Sequence, residues 1–154
     1  QLNEPGRLAF TPEGHLVVVN TENHRVQVFR EDGTFVHALG TRETGEGVSN
    51  VLQDVAIGAD GSVYVVDENA RVQVFDSSGA CVRTLGGHGD IGDDLPDLQR
   101  GIAVGAEGNV FVSGTSHSTV EVFRNDGEQV ATIKVQGCAS GLAADTAGRL
   151  FVGD

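Results

Sequence analysis

An all-β fold of repeated sheets is the class this sequence predicts, and three observations predict it. A turn glycine followed by an apolar run returns at Gly14, Gly61, Gly108 and Gly148, in steps of 47, 47 and 40 residues. Self-similarity at such a period marks a repeat architecture. Each unit holds short apolar or alternating runs separated by Gly, Asp, Asn and Pro signals, as expected of strands joined by tight turns. No segment carries a helical apolar period over a useful length. Four antiparallel strands in a unit of roughly 40 to 45 residues make a β-propeller blade. One such sheet has two apolar faces and is not stable alone; stacking against its neighbours covers both.

In the first unit the strands are expected at 7–10, 16–19, 26–29 and 35–39. Thr11-Pro12-Glu13-Gly14 supplies the first turn, with Pro and Gly where a tight turn takes them. The second run, LVVV from Leu16, is continuously apolar and so reads as a strand covered on both faces. The third, Val26-Gln27-Val28-Phe29, alternates and reads as half covered. The second unit repeats the plan at 55–57, 63–66, 72–75 and 81–85, and the third at 102–104, 110–112, 120–123 and 130–133. The fourth unit offers only 142–144 and 150–152. The blades are therefore expected at about 5–40, 54–86 and 100–134, with a partial blade at about 141–154. The opening QLNEPGRL has no methionine and the end falls within a repeat, which predicts a piece, residues 1–154, of a longer protein.

The wording of the repeats is more specific than their period. EGHLVVVNTENHRVQVFREDGTFVHALG and DGSVYVVDENARVQVFDSSGACVRTLG closely resemble the NHL repeat. The marks are an acidic-Gly turn, an apolar strand, Asn-x-Arg, V-Q-V-F, a second turn and Leu-Gly. The third copy departs, with SGTSHST in place of the Asn-x-Arg loop. The resemblance implies a propeller usually of six blades, of which this chain supplies about 3.5. It also points to relatives with a RING and B-box ahead of the propeller, in which a basic top face binds RNA.

Composition narrows the partners. The formal net charge is -12 and the pI about 4.6, with Lys134 the only lysine. Phosphate-binding surfaces need clustered Lys and Arg, so the balance favours a solvated acidic surface and makes RNA the lesser expectation. Cys81 and Cys138 are too few for a disulfide framework or zinc site. They are expected as free thiols, one in a strand and one in a loop, which favours a reducing, cytoplasmic compartment. No apolar run approaches the ~18 residues of a spanning helix.

In such a blade the first and third connections lie on one face, and the second and the blade-to-blade connections on the other. The second set is longer and more varied, so it is the functional candidate. The binding-face residues are Arg7, Asn20, His24, Arg25, Asp67, Arg71, Arg100 and His117. Arg7, Asp54, Arg100 and Ser140 are expected to rim the central channel, and Arg25 and Arg71 to pair with nearby carboxylates. Asp90, Asp93, Asp94 and Asp97 could offer calcium its oxygen ligands, but their spacing is not that of an EF-hand and an acidic solvated loop is the plainer reading. Propeller lyases that look like this family bind zinc through a histidine ahead of the first strand. The rim positions here are Arg, Asp, Arg and Ser, and His15, His24, His37, His88 and His117 lie elsewhere. No catalytic residue, metal ligand set or cofactor is assigned. The expectation is a non-enzymatic module that binds a protein partner through its loop face. Self-association through open blade edges is a further expectation. The alternatives are an RNA-binding propeller of a tripartite-motif-like ubiquitin ligase and a metal-dependent propeller lyase or lactonase.

Overall fold

The computed structural model describes residues 2–39, 51–67, 71–86, 101–114 and 118–153. Its strands are β1 (Pro5–Phe10), β2 (Leu16–Asn20), β3 (Arg25–Phe29), β4 (Phe35–Leu39), β5 (Leu52–Ile57), β6 (Val63–Asp67) and β7 (Val72–Phe75). They continue as β8 (Cys81–Leu85), β9 (Ile102–Val104), β10 (Val110–Gly114), β11 (Thr119–Phe123), β12 (Gln129–Lys134), β13 (Gly141–Ala144) and β14 (Leu150–Gly153). They form three four-stranded sheets, β1–β4, β5–β8 and β9–β12, and the pair β13–β14, each antiparallel and in chain order. The one helical feature among the described residues is a single 3-10 turn at Thr21–Asn23.

Seven tight turns of one build hold the strands in register. In the turns ending at Gly14, Gly61 and Gly108 the glycine N–H donates to the carbonyl three residues back at 2.9 Å. The turns at Gly33, Gly79, Gly127 and Gly148 repeat the contact at 2.9–3.2 Å. All seven glycines have φ between 79° and 97°, the left-handed region that costs a residue with a Cβ. This is why the sequence places glycine at the same position of each of these turns.

Alternation along each strand sends neighbouring side chains to different blade interfaces. Val63 and Val65 of β6 join Val17, Val19, Val26, Val28 and Leu39 in a core between the first two blades. Tyr64 and Val66, one residue out of step, join Val72, Val74, Leu85, Ile102, Val110, Val112 and Phe123 in a core between the second and third. The continuously apolar strand is therefore buried on both faces, as expected. The third strand differs from its half-covered expectation: β7 is buried throughout, and Gln27 and Gln73 are only 4 % and 7 % exposed. An alternating pattern signals one wet face only when the polar residue has no internal partner. Gln27 accepts from Asn20 Nδ2.

Cover is uneven at the ends of the row. Val55 and Ile102 are 5 % and 3 % exposed, whereas Leu8, their counterpart in the first blade, is 58 % exposed. Phe151 on β14 is 53 % exposed. No helix among the described residues is long and apolar enough to cross a membrane.

Candidate functional site

The second strands of the three blades carry a polar residue driven into the fold, last in β2 and β6 and last but one in β10. Asn20, Asp67 and Ser113 are 0 %, 1 % and 0 % exposed, and each fixes backbone beside it. Asn20 Oδ1 accepts from the Asn3 N–H at 2.9 Å and from Asn23 Nδ2 at 3.1 Å. Asp67 accepts from the Arg71 N–H and from Arg71 Nε, both at 3.0 Å. Ser113 Oγ accepts from the Gly101 N–H at 2.6 Å. Buried polar groups are retained where they are satisfied, so these three anchor the loop face to the blade beneath.

On that face the structure separates the two arginines that the sequence treats alike. Arg71 pairs with Asp67 as expected. Arg25 stands at the matching place, but the residue before its loop is the neutral Asn20. Arg25 Nε is buried without a hydrogen-bond partner, and so is His24 Nδ1. His24 closes the 3-10 turn in the left-handed conformation, φ 49°. A hollow of about 410 Å³ opens here, lined by Leu2, Asn3, Asn23 and Arg25. Leu2, Asn3 and Asn23 were not legible as its walls, because it forms only where the segment ahead of β1 meets the loop after β2.

Of the residues expected at the channel rim, Arg7 lies within β1, as the expected strand over 7–10 already had it, Asp54 lies within β5, which starts earlier than its apolar run, and Ser140 directly precedes β13. Asp54 Oδ1 accepts from its neighbour Val55 N–H at 2.9 Å and Oδ2 from the Ile102 N–H of the next blade at 3.1 Å. Burial raises the pKa of this carboxyl, against those two N–H groups and the charge of Arg7. Asp54 is thus a link between blades. Arg100, His117, His88, Asp90, Asp93, Asp94 and Asp97 lie outside the described residues. Among the described residues no three His, Cys, Asp or Glu side chains converge on a point that could hold a metal. Cys81 and Cys138 are exposed and form no disulfide, the first in β8 and the second between β12 and β13.

The turn aspartates titrate in the opposite sense from Asp54. Asp32, Asp60, Asp76 and Asp145 have lowered pKa values, chiefly from bonds donated by Thr34, Ser62, Ser78 and Arg149 respectively. The stability they add is present above the unfolded-state value, about 4, and is lost as pH falls through their lower folded values. Asp54 is raised, so its titration favours the fold at acid pH and that contribution is lost as pH rises through its folded pKa. Asp54→Asn removes the opposing contribution. The variant is expected to lose more stability than the wild type between pH 7 and pH 3, read as the shift in urea midpoint.

The sheets and turns define a class, and the comparisons agree with it. The chain is a β-propeller protein built of four-stranded antiparallel blades. It carries an NHL repeat, which matches residues 2–29. No curated protein matches the sequence. Among solved structures, virginiamycin B lyase from Staphylococcus aureus aligns with TM-score 0.70 at 14% identity, over 96% of this chain and 48% of that one. RRP9 WD40 repeats align with TM-score 0.75 at 18% identity, over 95% and 43%. U3-55K aligns with TM-score 0.76 at 15% identity, over 95% and 45%. At these identities the likeness is one of fold. The chain spans about half the length of each of these structures.

Proposed function

We propose that this propeller is a non-enzymatic interaction module that binds a protein partner through the face bearing Asn20, His24, Arg25, Asp67 and Arg71. One contrast carries the reading. The turn face is built seven times from the same glycine turn. The opposite face is built differently in every blade: the second strand ends in Asn20, Asp67 or Gly114, the first two are used in different ways, and the segments joining blades, 40–51, 86–101 and 135–140, differ widely in length. A constant scaffold with one varied face is the usual layout of a recognition surface. The net charge of -12 and the neutralisation of Arg71 by Asp67 weigh against an RNA phosphate backbone as the ligand.

The test swaps charges without changing their sum. Arg7→Glu with Glu22→Arg alters the loop face, where both side chains are exposed, and Arg30→Glu with Glu31→Arg alters the turn face likewise. Partners crosslinked to the wild-type chain in extracts are expected to be lost from the first variant and kept by the second. Equal retention or equal loss would sink the proposal. Single-stranded RNA binding that falls steeply with salt would favour the RNA reading, and stoichiometric zinc or calcium in the purified protein the enzymatic one.

A further inference from the structure

We infer that the hollow at Arg25 is a carboxylate-recognition subsite that takes an acidic side chain of a protein partner. This rests on the reading above that the loop face binds protein. Two blades treat the corresponding arginine differently. Arg71 is neutralised from within: its Nε donates to Oδ2 of the buried Asp67 at 3.0 Å. In the first blade the corresponding residue is Asn20, and the amide changes the electrostatics while keeping the shape. Its Nδ2 donates to Gln27, and its Oδ1 accepts from the Asn3 N–H and Asn23 Nδ2. Asn20 brings no charge to Arg25. Among the described residues Arg25 forms no ion pair, and its Nε lies buried without an acceptor.

A cationic N–H removed from water and left without an acceptor is unfavourable, and an oxyanion restores what is missing. A carboxylate also matches the planar fork of a guanidinium. The hollow, about 410 Å³, gives that group a place to enter. Leu2 supplies an apolar wall for the stem of an aspartate or glutamate, and Asn3 and Asn23 supply a polar rim. One unmatched arginine suits a single carboxylate. A nucleic-acid backbone would need several cations to release its counterions.

The same comparison supplies the test. Asn20→Asp reproduces in the first blade the Asp67–Arg71 pair of the second, beside a glutamine in both cases, since Gln27 and Gln73 occupy matching strands. The variant keeps Arg25 and fills its acceptor from within. The probe is a capped hexaglutamate peptide, with capped hexaglutamine and inorganic phosphate as the other arms, and the readout is the Arg25 Nε–Hε resonance. Hexaglutamate is expected to shift that resonance, and neither other arm is. Asn20→Asp is expected to melt like the wild type and to bind hexaglutamate about tenfold more weakly or worse. Arg25→Gln, which has no such resonance and is read instead from the backbone amide shifts of Asn3 and Asn23 in all three proteins, should bind as weakly, which keeps the test decisive if Asn20→Asp does not fold.

No shift with hexaglutamate, a shift with phosphate alone, or undiminished binding by a folded Asn20→Asp would each overturn the assignment. The outcomes separate the two claims. If the charge-swapped faces still discriminate partners while Arg25 ignores hexaglutamate, the subsite falls and the face stands. If Arg25 responds but the faces do not discriminate, the face falls.

Discussion

Tyr64→Ala is expected to lower the unfolding free energy by about 3–5 kcal/mol, the usual range for emptying a large buried aromatic site. Tyr64 is 1 % exposed and belongs to the core between the second and third blades. Its hydroxyl donates to Asn125 Oδ1 at 3.1 Å in the turn between β11 and β12. Arg83 Nη1 donates to the Asn125 carbonyl at 2.6 Å. One turn residue of the third blade is thereby held from two strands of the second. Tyr64→Phe keeps the ring and loses only the hydroxyl bond, so about 1 kcal/mol is expected. Phe151→Ala, at a site 53 % exposed, should change little. Urea midpoints at constant slope check all three. A loss for Tyr64→Ala no larger than that for Tyr64→Phe would mean that the second and third blades do not share a packed core.

Leu39→Ala is the second large effect, about 2–5 kcal/mol. Leu39 is the last residue of β4 and 1 % exposed. It is covered by the turn of the next blade: a Cβ placed on Gly79 would lie 3.1 Å from Leu39 Cδ2. Leu85 stands in the same relation to Gly127 of the third blade, at 3.3 Å. Ile133, the corresponding residue of β12, is 40 % exposed. These glycines therefore do two jobs, which can be pulled apart. Gly33, at φ 84° with open space for 4 Å around the position a Cβ would take, reports the backbone strain alone, about 1–2 kcal/mol on replacement by Ala. Gly79→Ala should cost more than Gly33→Ala, because Leu39 must shift. In a Leu39→Ala background that excess should vanish, a coupling of about 0.5 kcal/mol or more. Additive costs would mean that turn and leucine are not in contact.

Legibility followed the range of the interaction. The glycine turns, the apolar runs and their order are local, and most strands lie where the apolar pattern puts them; β4, β7, β8 and β9 match residue for residue. Strand starts differ from the expected ones where the ladder outruns the apolar run, as in β1 and β5, because backbone pairing resumes at Pro5 beyond a register shift and continues through Asp54 to Leu52, past the residues that end the pattern. The candidate site was legible only as a set of residue types. Arg25 and Arg71 look the same in sequence, and what distinguishes them is the charge of the residue ahead of the loop together with its burial. The hollow beside Arg25 had no signal at all, since its walls come from segments about twenty residues apart.

The sequence by itself determined the unit: where the chain turns, which stretches are strands, and that the pattern repeats. Those properties come from backbone sterics at glycine and from period-two alternation, both set within a few residues. Only the tertiary structure decided which side chains meet between units. It made Tyr64 and Asn125 partners, turned Asp54 into a bond across two blades, and left Arg25 without the acceptor that Arg71 has. Such contacts depend on how whole sheets stack and on how much water the stacking removes, and a linear pattern does not carry that information.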